Sequence, residues 1–501
     1  MLIRIFLVLL VALGLTPGAS TAISNSASPN ASPAVIWPTA SEDFSLEFFP
    51  VSPYHVGDHL SLRVTYTGEQ DINEHEISIS LADQPGQVVD ATRFSRYSTQ
   101  ATFFWFLDTR EHQPGFLKFL LEVPEMNLAW ETGVNLLPNP GGEPRTWAEV
   151  RANCCIVHYI TGTDAEEDIA QIQEILEDQT SEALAQFESQ IAQNEPPMDD
   201  QLMNEPLVLA LIPSVIGQGG FATDIAVITY SDRNWTGTDF SNIIHHEVVH
   251  VLDRKLNDGP RPSLFAEGLA VYFAGGHYRD GDTLQRAAAL LAIGRYIPIT
   301  DFVDDFYAAQ HEISYLEAGG LVAYLSTIWG GERFLDFYFN LPEATSDSES
   351  ISQALEAQYG MTLEELEADY IEFLRMIQPE PEVQDNVRLT IKAYDTMRLY
   401  QQLRIPSAYF RNAWWPAVDR ALELDIVGDY APREKTPVDV FIENLFLELY
   451  RALDSGDIQS AEETLAKIHD FLDLAESQGN AFSHYSIGWP LPHPARVTPG
   501  Y

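Results

Sequence analysis

The apolar residues of this chain change their spacing along its length, and a polypeptide whose period switches from two to 3.6 cannot belong to one fold class throughout. Between residues 43 and 137, short apolar runs alternate with turn residues: FSLEFFPV, HLSLRVTYTG, EISISLA, ATFFWFLDT and FLKFLLEV. Aromatic and β-branched side chains recur there at every second position, the pattern of half-buried strands. Several such strands within one region predict a β-sandwich of immunoglobulin-like type. The Pro/Gly-rich segment PNPGGEPRTW, residues 138–147, marks its end.

Beyond that boundary the two periods mix. CCIVHYITG, LVLALIPS and DIAVITYS read as strands, and the glycines of GQGGFAT predict a mobile loop between the last two. From Glu166 to Gln193 the period is helical, with Ile169, Ile172, Leu176, Ala183, Phe187 and Ile191 on one face. From Ser241 onward the pattern is helical almost everywhere. PEPEVQ, residues 379–384, reads as a linker into a second helical region over 385–480. That region contains a hairpin broken at Ser455-Gly456, similar to a tetratricopeptide-type unit. The Pro-rich stretch at 481–501 reads as a disordered tail.

The N-terminus has the layout of a cleavable export signal: Arg4, then the apolar stretch IFLVLLVALGL, then small residues at Ser20 and Ala22. The apolar stretch is shorter than the ~20 residues a spanning helix needs, so the expectation is a signal peptide over 1–22. An uncleaved signal anchor is the alternative. Residues 23–42 read as a disordered spacer. The protein is then secreted or otherwise extracytoplasmic. The formal charge is −46, which excludes nucleic acid as a partner, because phosphate binding needs a basic surface. Between Ala152 and Asp232 there is no lysine or arginine at all, and such a run reads as a solvated acidic face. Cys154 and Cys155 are the only cysteines. Adjacent cysteines close a constrained ring, so two buried thiols are expected at the start of a strand.

The segment SNIIHHEVVHVLDRKL, residues 241–256, places His246, Glu247 and His250 in an H-E-x-x-H pattern on an expected helix. Residues four apart share a helix face, so both imidazoles can reach one metal ion. Glu247 is rotated about 100° from His246 and can reach a metal-bound water without being a ligand. Asp239 or Ser241 is a candidate cap for the helix, and Asp253 a candidate support for the ligands. His245 cannot start the same motif, because Val249 lies four residues beyond it. Further on, FAEGLAVYFAGG opens a second helix at Glu267. Pro260 and Pro262 between the two helices force a turn.

The pair HHEVVH and FAEGLAVYF resembles the gluzincin metallopeptidases, and most of all their peptidase MA-like branch. The resemblance covers roughly residues 147–375 and is specific mainly over 241–275. It implies an α+β zincin-like peptidase domain over 147–378, with one Zn²⁺ per chain held by His246, His250 and Glu267. It also implies that Glu247 is the general base, and that a tyrosine on a downstream helix, here Tyr315 in HEISYLEAGGLVAYL beside His311, stabilises the oxyanion. A strand before the H-E-x-x-H helix, here DIAVITYS, is expected to line the cleft. The G-x-M-E-N segment of the aminopeptidase branch and the N-E-x-x-S-D segment of the thermolysin branch are missing, so neither specificity carries over. The chain therefore reads as multidomain: a β-sandwich over 43–137, a peptidase domain and a helical C-terminal region. The expected function is hydrolysis of a peptide or protein substrate, the alternative a catalytically silent binding or scaffolding protein. Sequence leaves the oligomeric state open. N-terminal sequencing of exported material is expected to start near Ile23; material found only in the cytoplasm with Met1 intact overturns the export reading.

Overall fold

Period-two patterning becomes two sheets around one shared core. A computed structural model of the protein describes residues 43–49, 52–66, 68–72, 75–82, 88–93, 95–97, 100–139, 146–190, 205–213, 219–222, 225–230, 240–256, 261–341, 348–404, 418, 422 and 437–479. The expected signal peptide (1–22), the spacer up to residue 42 and the tail (481–501) lie outside the described residues. The strands are β1 (Phe44–Phe49), β2 (Tyr54–His55), β3 (His59–Tyr66), β4 (Glu76–Leu81), β5 (Val88–Arg93), β6 (Ser95–Tyr97), β7 (Gln100–Asp108), β8 (Gly115–Val123) and β9 (Leu128–Leu137). One sheet has the order β1-β3-β7-β6, the other β2-β9-β8-β4-β5. Leu60, Leu62 and Val64 of β3 share a core with Ile77 and Ile79 of β4, Phe119, Leu121 and Val123 of β8, and Trp130, Val134 and Leu136 of β9. Every one of these follows the alternation that a pleated strand imposes.

A third sheet follows: β10 (Trp147–Arg151), β11 (Cys155–Ile160), β12 (Leu207–Pro213), β13 (Gly220–Ala222) and β14 (Ala226–Tyr230), in the order β10-β11-β12-β14-β13. The middle strands β11, β12 and β14 run parallel, and β10 and β13 pair antiparallel at the two edges. Two expectations change here. Part of the GQGGFAT segment is strand β13 and forms the sheet edge, while the DIAVITYS strand, β14, lies inside the sheet. Cys154 and Cys155 are joined as a disulfide rather than being two thiols, with both residues buried; the backbone between them accommodates the ring.

The helices are α1 (Asp164–Glu167), α2 (Ile169–Gln190), α3 (Phe240–Leu256), α4 (Ser263–Ala274), α5 (Thr283–Ala292), α6 (Ile299–Phe302), α7 (His311–Trp329), α8 (Gly331–Phe339), α9 (Ser348–Tyr359), α10 (Leu363–Met376), α11 (Pro381–Arg404), α12 (Pro437–Asp454) and α13 (Ile458–Gly479). The chain is thus mixed α/β. Ile172, Leu176, Ala183 and Phe187 of α2 enter a core that also takes residues from the third sheet and from α3, α4, α7, α8, α9 and α10. Helix α11 begins inside the segment expected to be a linker. It packs Val387 and Ile391 against Ala289, Leu290, Ile313 and Leu316 of α5 and α7, and only residues 377–380 separate it from α10. The expected hairpin forms as α12 and α13, broken at 455–457 as its turn residues indicate. No helix among the described residues is long and apolar enough to cross a membrane.

Two buried glutamates secure the turn that follows α5. Glu317 Oε1 accepts the Ile297 N–H (2.7 Å), and Glu367 Oε1 accepts the Ile299 N–H (2.6 Å) and the Tyr296 hydroxyl (2.8 Å). Glu317 Oε2 is buried without a hydrogen-bond partner, and burial pushes this carboxyl well above its ordinary value. The folded state therefore holds a proton that the unfolded state releases, and this group's contribution to stability falls as pH rises above about 4.3. Glu317→Gln keeps an acceptor for Ile297 and removes the ionisation. Its melting temperature relative to the parent is expected to rise as pH increases above about 4.3, read by thermal denaturation. A difference that does not vary with pH overturns the assignment.

Candidate metal centre

The H-E-x-x-H residues lie on α3, a helix whose apolar positions Ile244, Val248, Val251 and Leu252 are buried. Ser241 falls within the helix rather than capping it, and Asp239 lies outside the described residues. His245 points to the opposite side, toward α2. Its Nε2 meets Gln186 Oε1 and its Nδ1 meets Gln179 Oε1, both at 2.9 Å. Gln186 donates its amide to the Phe273 carbonyl, which orients its oxygen toward the His245 ring. Burial lowers the His245 pKa to about 4, and the ring stays neutral as part of the α2–α3 contact.

Helix α4 crosses α3 and delivers Glu267. It is apolar on nearly all sides, burying Leu264, Phe265, Leu269, Ala270, Val271 and Phe273, as expected of a helix surrounded by core. Gly268, beside Glu267, lets it lie directly on α7: a Cβ there would stand 2.6 Å from the Ala318 carbonyl oxygen. That close approach sets where Glu267 points.

Three atoms converge. His246 Nε2 and His250 Nε2 are 3.2 Å apart, and Glu267 Oε2 lies 3.3 Å from the first and 3.2 Å from the second. These three residues form a cluster able to hold a metal ion. A tetrahedral ion bonded at roughly 2.0–2.1 Å separates its ligand atoms by about 3.3 Å, so the triangle fits one such ion. Hydrogen bonds alone do not account for it, since a neutral imidazole donates only one N–H. The electrostatics without an ion are strained accordingly. Burial pushes His246 down to about 4. Burial also opposes charge on His250, but the Glu267 carboxylate outweighs it and raises that ring to about 9. Burial works against the Glu267 charge too, yet His250 and the two imidazole hydrogen bonds hold its carboxyl well below the usual range.

Glu247 is buried beside this trio, and its Oε2 has no hydrogen-bond partner among the described residues. Burial pushes its carboxyl up to about 8. Gly220 of β13 lies against it: a Cβ at that position would be 2.7 Å from Glu247 Oε1. The strand edge nearest the site is therefore β13, not the DIAVITYS strand. Asp253 is buried and accepts the Tyr338 hydroxyl at 2.6 Å, which ties α3 to α8.

Tyr315, on α7, stacks on His277 at 4.3 Å between ring centroids and 22° between planes. Its ring lies 4.3 Å from His311 and 6.1 Å from His246. The structure thus brings the expected tyrosine to the wall of the centre, and burial raises its phenol well above the ordinary value. Three features carry no motif that spacing could expose. His277, just past α4, donates through Nδ1 to buried Glu312 (2.7 Å), which Arg286 also pairs (3.4 Å). Tyr394 of α11 stacks on His311 at 5.0 Å and 12°. Tyr307 donates its hydroxyl to Glu267 Oε1 at 2.7 Å. The nearest signal is composition alone, the density of histidine and tyrosine between residues 277 and 315. No protein-family model matches the chain, and no curated protein matches it.

Metal analysis of the purified protein is expected to give one zinc per chain, and Glu267→Ala to bind far less, since two imidazoles fall short of the usual three protein ligands. Equal, near-zero zinc in both proteins overturns the centre.

Proposed function

We propose that this protein is an exported zinc-dependent peptidase of gluzincin type, hydrolysing peptide or protein substrates. The observation that carries the reading is the buried Glu247 carboxylate, with an unpartnered oxygen, beside three ligand atoms 3.2–3.3 Å apart. His246, His250 and Glu267 would hold the ion. Zinc bound there supplies Lewis acidity, which acidifies a water molecule and polarises the scissile carbonyl.

The chain's own groups divide the remaining work. Glu247 takes the proton of the attacking water and passes it to the leaving amine. Burial opposes ionisation of Glu247, and a cation held by the three neighbouring residues would favour its ionised form. The Tyr315 hydroxyl is the candidate donor to the developing oxyanion. Strand β13 offers its outer edge to an extended substrate, and the missing side chain at Gly220 lets the strand lie directly against Glu247. The immunoglobulin-like sandwich over 43–137 and its separation from the peptidase domain belong to the same proposal.

A binding or scaffolding protein that kept the metal would have no chemical use for a buried base at that position. Glu247→Gln and Glu247→Ala are expected to retain zinc and to lose at least the ~10²-fold that a positioned general base contributes. Hydrolysis of a mixed peptide library checks this, with chelators abolishing the parent's activity. A parent that holds zinc and cleaves nothing leaves the binding reading standing instead. Activity unaffected by both substitutions belongs to another site or another protein.

A further inference from the structure

The Glu267 carboxylate divides its two oxygens between different neighbours. Oε2 faces both imidazoles at 3.2–3.3 Å, while Oε1 accepts the Tyr307 hydroxyl at 2.7 Å. We propose that Tyr307 is a positioning residue of the metal centre, whose hydroxyl occupies the outer oxygen of Glu267 so that the carboxylate offers the metal a single oxygen. The inference rests on the zinc reading above and deepens it.

Three observations point to this role. First, Tyr307 is not a core residue: it is 48% exposed, so packing does not explain why its hydroxyl reaches a buried carboxylate. Second, its backbone is well anchored. It belongs to a 3-10 turn, Val303–Ala308, in which Val303 and Phe306 are buried, and Asp304 accepts the Ser348 N–H at 2.7 Å. The Phe306 ring packs edge-on against Tyr307 and lies 5.3 Å from Tyr315. The phenol thus arrives from an element separate in sequence from both ligand helices, one whose Val303 and Phe306 share the core with the Glu267 helix. Third, the chemistry of the ligand set calls for it. A carboxylate can bind through one oxygen or two. A second Glu267 oxygen on the ion would take the coordination position that a hydrolytic site keeps open for water and substrate. A hydroxyl on Oε1 opposes that rotation and fixes the plane of the carboxylate. Groups that hold metal ligands in this way are typically worth about 10–100-fold in metal affinity or activity.

The test is Tyr307→Phe, which keeps the ring and removes only the hydroxyl. Zinc affinity is measured by competition with a chromophoric chelator, and the Co²⁺-substituted protein is examined by visible absorption. The variant is expected to bind zinc about 10–100-fold more weakly. Its cobalt bands should weaken toward those of higher coordination number, while metal-free melting falls only by what one lost hydrogen bond to a buried carboxylate explains. On a Glu267→Ala background the same substitution should have no further effect, as expected for two groups acting through one contact. A Tyr307→Phe protein with the parent's zinc affinity and cobalt spectrum overturns the proposal. So does a loss of equal size on the Glu267→Ala background, which would place Tyr307 in general packing. The outcomes also separate the two readings. A parent that binds no zinc defeats the metal centre and this inference together. A parent that binds zinc, loses it with Glu267→Ala and is indifferent to Tyr307→Phe defeats this inference alone.

Discussion

Everything around the site depends on one carboxylate carried into the core by an apolar helix. Leaving an ionised group unpaired in a protein interior costs several kcal/mol, and α4 buries Glu267 among Leu264, Phe265, Leu269 and Val271. The charge is met from two directions, by His246 and His250 on α3 and by Tyr307 from a separate turn. Helix α4 in turn lies against α7 because residue 268 has no side chain. The position of the carboxylate, and so of the whole ligand triangle, follows from how closely two helices can approach.

A second layer of polar contacts links this centre to the C-terminal helices. His277 is held by Glu312, Glu312 pairs with Arg286, and Arg286 donates to Asn386 of α11 at 2.9 Å. Arg279 pairs with Asp454 at 2.6 Å and lies over the Tyr450 ring, both on α12. Tyr394 completes an aromatic series through His311, Tyr315 and His277. Helices α11 and α12 therefore form part of the surroundings of the site, and the orientation of Tyr315 depends on residues more than sixty positions away in sequence.

Local pattern was a good guide wherever one face of an element meets one environment. Alternation located β3, β4, β7 and β8, and the 3.6-residue period located α2 and its buried face. It failed where the environment is not one-sided. Strand β13 is only three residues long and contains Gly220, so it reads as a loop, and only its pairing with β14 makes it a strand. The start of α11 carries Pro381 and acidic residues, which read as a linker. It is helical because proline fits the first helical turn and the next turns bury Val387 and Ile391. At the cysteines, ring constraint favours two thiols, while the structure joins Cys154 and Cys155 as a disulfide.

The sequence by itself determined which residues can act as ligands. The spacing of His246 and His250 is set by helix geometry, and the spacing needs nothing from the rest of the chain. The helical class of Glu267 and the place of Glu247 one step around the helix were legible for the same reason. Only the tertiary structure decided that Glu267 meets the two imidazoles, that Gly220 of β13 lies against Glu247, that Tyr307 donates to Glu267 and that His277 stacks on Tyr315. Those relations join residues on different elements, and their distances depend on helix crossing and strand order. No local periodicity encodes either of these.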